Sequence, residues 1–140
     1  MDTEFARHQM LVQQVRAWDV NDSHVLDVMS DVARENFVPE GFRHLAFADT
    51  EIPLGHGQKM MTPIVEGRML QSLAIGGNDN VLEIGTGSAY ITACLAKLAA
   101  SVCSVDVFDD FLSSAATKLK QAGVANVELA CMDACQGLPA

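Results

Sequence analysis

Glu83-Ile84-Gly85-Thr86-Gly87-Ser88-Ala89 sets a carboxylate two residues ahead of a Gly-x-Gly turn. Glycines at 85 and 87 permit a tight strand-to-helix turn and a close approach of a ligand to backbone N–H groups at a helix N-terminus. Glycine turns are common, so position supplies the meaning. This one follows a strand-like run, opens a helix-like run, and has an acid, Asp106, about 20 residues further on. An acid at the end of the next strand is placed to accept hydrogen bonds from a ribose diol. Asp133 ends a further strand, and together these acids favour a site on the side where such folds bind ligands.

Two cofactor classes use this arrangement. A dinucleotide fingerprint needs a third glycine at position 90, where Tyr90 would crowd the strand–helix contact. Glu83 would be unwelcome beside a pyrophosphate, but it can counter a ligand's ammonium group. S-adenosylmethionine carries an amino group and a sulfonium and no phosphate. The residues therefore favour the methyl donor over NAD.

The surrounding pattern supplies the elements that must hold these residues. Asn80–Ile84 reads as a strand, 88–100 as a helix, 101–107 as a valine-rich strand, 109–122 as a helix stopped by Gly123, and 126–131 as a third strand. This β-α-β-α-β order implies a parallel sheet with helices on its faces. A doubly wound sheet normally continues, so the expectation is a truncated chain with exposed apolar surface and a strand edge that promotes self-association. Upstream, Asp2 or Thr3 caps a helix with Leu11, Val15 and Trp18 on one face. Asp22 or Ser23 caps a second, with Leu26, Met29 and Ala33 aligned, which Pro39 ends. A short helical turn follows over Glu40 to Ala46, and residues 49–61 read as a glycine-containing loop. Thr62-Pro63 opens a third helix with Val65, Met69 and Leu73 on one face, and Gly76-Gly77 ends it.

Composition narrows the function classes. A net charge of −9 with no Lys/Arg cluster argues against a nucleic-acid partner, because affinity for phosphate backbones rests on cations. No run approaches the roughly 18 apolar residues of a membrane helix, and the acidic N-terminus lacks a signal-peptide pattern. Membrane association is not expected. Cys94, Cys103, Cys131 and Cys135 form no Cys-x-x-Cys pair, so we expect no metal site; they read as free thiols buried in the core of a cytoplasmic protein.

The chain resembles the protein-L-isoaspartate O-methyltransferase family. Arg34-Glu35-Asn36-Phe37-Val38-Pro39, Leu45-Ala46-Phe47-Ala48-Asp49 and Pro53-Leu54-Gly55-His56-Gly57-Gln58 carry the resemblance, with Val81 through Tyr90 and Asn126-Val127-Glu128. The glycine turn is shared by many methyltransferases; the upstream segments are far more specific. The resemblance implies an α/β, Rossmann-like S-adenosylmethionine-dependent methyltransferase fold, incomplete, with residues 1–62 as an N-terminal helical extension and active-site loop. Residues 63–140 would be the first half of the methyltransferase domain.

It implies an enzyme that methylates the carboxylate of isoaspartyl residues in damaged peptides and proteins, leaving S-adenosylhomocysteine as product. Glu83, Gly85, Thr86, Gly87 and Ser88 would hold the cofactor's amino-acid end. Asp106 would bind the ribose, with Val107 beside the adenine and Met132 and Asp133 at its edge. Gly57-Gln58 would close over the site, with Gln58 joining the cofactor-binding set. No acid–base catalytic residue is implied, because the accepting carboxylate is already ionised. The chain departs from the family at Lys59-Met60-Met61, which stands where Thr-Ile-Ser is usual, so the serine hydroxyl beside the reacting carboxylate is missing. A homologue that binds the cofactor without repair activity, acting as a binding or regulatory protein, is the alternative that Met61 raises. Thr62 is committed to its cap, Lys59 could attract a carboxylate, and Ala89 for glycine is a mild change at a helix start.

Overall fold

In the computed structural model, which describes residues 2–137, the first three α-helices begin where the sequence supplies a side-chain acceptor. Asp2 accepts from the amides of Glu4 and Phe5 at 3.1 and 3.3 Å, and α1 follows over Thr3–Gln9. The helix widens into a π-helical stretch over Met10–Val15, then tightens to a 3-10 turn over Arg16–Trp18. That change of pitch breaks the simple helical spacing. Leu11 and Val15 are buried as expected, but Trp18 is 59% exposed.

Asp22 caps α2, Ser23–Asp31, by accepting from His24 N at 2.9 Å and Val25 N at 3.4 Å. Its buried face is Val25, Val28 and Met29 rather than the expected Leu26-Met29-Ala33 line. The helix ends at Asp31, well before Pro39, and a separate 3-10 turn covers Arg34–Asn36. Another 3-10 turn spans Glu40–Leu45, where a helical turn is expected.

Residues 52–60 form a hairpin, not a loop. β1, Ile52–Gly55, pairs antiparallel with β2, Gln58–Met60. His56 and Gly57 both have positive φ, 53° and 69°, the signature of the two-residue turn that matches strand twist. Thr62 accepts from Val65 N at 3.4 Å and opens α3, Pro63–Leu73. This helix buries Pro63, Glu66, Gly67 and Leu70; Val65 and Leu73, which the apolar pattern turns inward, are about half exposed. A side chain at Gly67 would stand 2.8 Å from Val15 Cγ1, so glycine there permits close helix packing. Ala74, not a glycine, takes the left-handed position that ends α3, with φ 48° and ψ 49°.

The chain divides after Ile75 into two units, so α3 groups with the first unit rather than opening the second. The second unit contains β3, Asn80–Ile84; α4, Tyr90–Leu98; β4, Ser101–Asp106; α5, Asp109–Gln121; and β5, Val127–Cys131. The three strands are parallel in the order β3-β4-β5, as the alternating pattern implies. Central β4 buries Val102, Ser104, Val105 and Asp106, and Tyr90 through Ala96 of α4 are all buried. Of the four cysteines only Cys94 is buried; Cys103 is half-buried, and Cys131 and Cys135 are exposed, which corrects the expectation that all lie in the core. Among the described residues, no helix is long and apolar enough to cross a membrane.

Candidate cofactor site

The site is built at the ends of β3, β4 and β5. Register places Glu83 opposite Ser104 on the neighbouring strand. Glu83 Oε1 accepts from Ser104 Oγ at 2.6 Å and also from Thr92 Oγ1 of α4. Ser104 Oγ lies 2.6 Å from Thr86 Oγ1. A serine hydroxyl has one proton, and Ser104 gives its proton to the carboxylate, so Thr86 is the donor in the second contact. The result is a directed chain from the turn to the strand's carboxylate. Burial pushes the Glu83 carboxyl up to about 6, the charge of Asp106 adds to the rise, and the Ser104 and Thr92 hydrogen bonds oppose it.

Asp106 ends β4 and is buried. Its Oδ2 accepts from Gly87 N at 3.0 Å and its Oδ1 from Phe108 N at 3.1 Å. One carboxylate thus ties the glycine turn to the start of the next segment. Three further amides here are also engaged within the chain: Gly85 N donates to Val105 O at 2.8 Å, Ala89 N to Thr86 O at 2.9 Å, and Tyr90 N to Ser88 Oγ at 3.2 Å. The amides of Gly85 and Gly87 are therefore held within the chain. Both glycines serve backbone shape, with φ of 95° and 53°.

Ala89 takes φ 70° ahead of α4, which begins at Tyr90. Replacing glycine there is therefore not a mild change at an ordinary helix start. A left-handed residue with a Cβ costs about 1 kcal/mol or more. Tyr90, at the position of a dinucleotide motif's third glycine, is completely buried.

The remaining expected residues divide by location. Val107 is half-exposed at the end of β4, an apolar surface beside Asp106. Met132 N donates to Asp106 O at 2.9 Å, which fixes the end of β5 to the end of β4. Asp133 accepts from Cys135 N at 2.9 Å and caps a short turn, leaving its carboxylate exposed. Glu83, Thr86, Gly87, Ser88, Asp106, Val107, Met132 and Asp133 thus all belong to the second unit, with Gly85 between them. Gln58 belongs to β2 in the first unit, where its Nε2 donates to His56 O at 3.2 Å.

Thr92, Ser104 and Lys118 escape sequence reasoning. Ser104 left a signal: a lone hydroxyl between Cys103 and Val105 in a buried strand, opposite a carboxylate. Thr92 left none beyond its presence in an apolar helix. Lys118 of α5 donates to Ser88 O at 3.4 Å from under the turn, and burial lowers its pKa.

A glycine turn between parallel strands, with acids closing successive strands, places this unit in the class of Rossmann-like methyltransferase folds. The protein-L-isoaspartate(D-aspartate) O-methyltransferase family model matches residues 6–140, and the chain belongs to that family. It is 39% identical over 139 residues to protein-L-isoaspartate O-methyltransferase 1 of Rhodopseudomonas palustris, covering 98% of this chain and 57% of that protein. It is 40% identical over 133 residues to the Methanoculleus marisnigri protein-L-isoaspartate O-methyltransferase, covering 95% and 60%. The chain thus spans about three fifths of the length of these curated relatives. Among solved structures it shares the fold of a Plasmodium falciparum protein-L-isoaspartate O-methyltransferase in complex with S-adenosyl-L-homocysteine. That likeness has a TM-score of 0.75 at 19% identity, over 89% of this chain and 62% of the other.

Proposed function

We propose that this protein binds S-adenosylmethionine and transfers its methyl group to the carboxylate of L-isoaspartyl residues in damaged proteins. The observation that carries the reading is Glu83, a half-buried carboxylate whose hydrogen bonds among the described residues come from the neutral hydroxyls of Thr92 and Ser104. An ionised carboxylate has room for about four hydrogen bonds. Glu83 and Asp106 therefore retain acceptor capacity suited to an ammonium group and a ribose diol, which fits the cofactor. When bound, S-adenosylmethionine supplies an electrophilic methyl on a cationic sulfonium.

The chain's own residues have positioning work. Glu83 orients the cofactor's amino group, Asp106 its ribose, and Val107, Met132 and Asp133 flank the adenine, while Gly85, Thr86, Gly87 and Ser88 shape the turn. By the family resemblance Gln58 joins the cofactor-binding residues. The accepting carboxylate is ionised at neutral pH, so rate comes from near-attack geometry rather than from a general base. Thr62 stays with its cap, and residue 61 contributes no hydroxyl.

The test is methyl transfer from labelled S-adenosylmethionine to an isoaspartyl peptide and its aspartyl counterpart. Base-labile label on the isoaspartyl peptide alone is expected. Cofactor binding without transfer would leave the binding-only alternative standing. We place the protein in the cytoplasm, a reading supported by its free thiols. Self-association is supported by exposed Leu82 and Ile84 on edge strand β3 and is tested by sedimentation.

A further inference from the structure

Thr92 and Ser104 are completely buried, and both hydroxyls end on the same oxygen. Ser104 Oγ donates to Glu83 Oε1 at 2.6 Å from β4, and Thr92 Oγ1 donates to that same atom from α4. Ser104 is itself met by Thr86, whose Oγ1 lies 2.6 Å away, so its single proton is directed at the carboxylate. A strand on one side and a helix on the other thus grip the Glu83 side chain.

Glu83 Oε2 accepts no hydrogen bond among the described residues. Nor is it one of the buried oxygens without a partner, so it is open to solvent. The two oxygens of this carboxylate are therefore unlike: Oε1 carries the internal bonds, and Oε2 is left for a ligand. The kind of donor matters as well. A lysine or arginine would also hold the side chain, but its charge would match that of Glu83 within the chain. A neutral hydroxyl fixes the position and leaves the negative charge for a cation. A free glutamate loses rotamer freedom when it orders around a ligand, and one already held loses less.

We propose that Thr92 and Ser104 are positioning residues for cofactor recognition: they pin Glu83 Oε1 so that Oε2 stands ready for the ammonium group of S-adenosylmethionine. Being completely buried, both hydroxyls act through Glu83 rather than on the ligand. This rests on the cofactor-binding reading above.

The test measures, by calorimetry, the preference of the protein for S-adenosylhomocysteine over its analogue lacking the amino group. Thr92→Val keeps the branched shape and removes the donor, Thr92→Ser keeps the donor, and Ser104→Ala removes the second donor. T92V and S104A should each lower the preference about fivefold, the scale of ordering one side chain. T92S should stay within about twofold of the unaltered protein, and T92V should bind the analogue within about threefold of it. S104A also removes the acceptor of Thr86, so both ligands should weaken in it, the amino ligand by about fivefold more. A preference unchanged in folded T92V and S104A, or lost equally in T92S, would overturn the proposal. So would failure of both T92V and S104A to fold, which would make the hydroxyls structural. Should the unaltered protein bind both ligands equally, the assignment of Glu83 to the amino group falls and takes the proposal with it. A preference present in the unaltered protein and kept by the variants overturns the proposal alone.

Discussion

Two carboxylates, Glu66 buried in the first unit and Glu83 half-buried in the second, are held in different ways. Glu66 meets the guanidinium of Arg34 in the first unit, while Glu83 in the second is met by hydroxyls alone. Burial dominates both: it pushes Glu66 up to about 7 despite its cationic partner, and Glu83 up to about 6. The charge of Glu66 is matched within the chain, so its role is to hold segments together. Glu83 has no such match among its hydrogen-bond donors, which makes it the carboxylate suited to a cation from outside.

The sharpest way to break this comparison is to remove the cation from the first pair. Arg34→Ala leaves Glu66 buried without its counter-charge and strands the carbonyls of Ala46 and Met61, which the guanidinium also meets. We expect a loss of about 3–5 kcal/mol, read as a lowered denaturant midpoint. A loss below about 1 kcal/mol would mean that the pair is not the anchor described.

Acid tests both carboxylates together. A carboxyl whose pKa is higher in the folded than in the unfolded chain takes up a proton on folding between the two values, so the folded state gains stability as pH falls through that window. The window runs from about 7 to 4.5 for Glu66 and from about 6 to 4.5 for Glu83. From these two groups we expect stability on the order of 3–4 kcal/mol greater at pH 5 than at pH 8, measured by denaturant titration. Affinity for S-adenosylhomocysteine should move the opposite way, falling below about pH 6 as Glu83 loses its charge. Parallel pH profiles would contradict the distinction between the two acids.

A smaller contrast lies in two alanines with left-handed backbone. Ala74 is exposed and Ala89 fully buried, with φ of 48° and 70°. Relief of the Cβ clash should make Ala74→Gly more stable by about 0.5–1 kcal/mol. Ala89→Gly should gain less, because it also deletes a buried methyl worth up to about 0.8 kcal/mol. Thermal midpoints of the two variants decide the order.

The second unit was the more legible in sequence. Its strands and helices follow apolar runs punctuated by glycine, and the acids stand at strand ends where the alternating topology puts them. What could not be read was the use of the turn amides, because a carboxylate such as Asp106 can face a ligand or its own backbone with the same spacing. The first unit was less legible because polar groups do structural work in it. Glu66 and Gly67 occupy the buried face of α3, one paired with an arginine distant in sequence and the other admitting Val15. Hydrophobic periodicity therefore selected the wrong face. The hairpin escaped because Pro53 and the glycines read as loop signals, although His56-Gly57 is itself a two-residue turn. The change of pitch after α1 that exposes Trp18 has no counterpart in the apolar pattern.

The central claim, that Glu83 is the carboxylate that receives the cofactor's amino group, is tested most directly by calorimetry with two ligands and two proteins. The ligands are S-adenosylhomocysteine and its analogue lacking the amino group; the proteins are the unaltered chain and Glu83→Gln. We expect the unaltered protein to favour the amino ligand by about 10- to 100-fold, the range of a hydrogen bond to a charged group, and E83Q to lose most of that preference. An equal preference in both proteins would contradict the assignment.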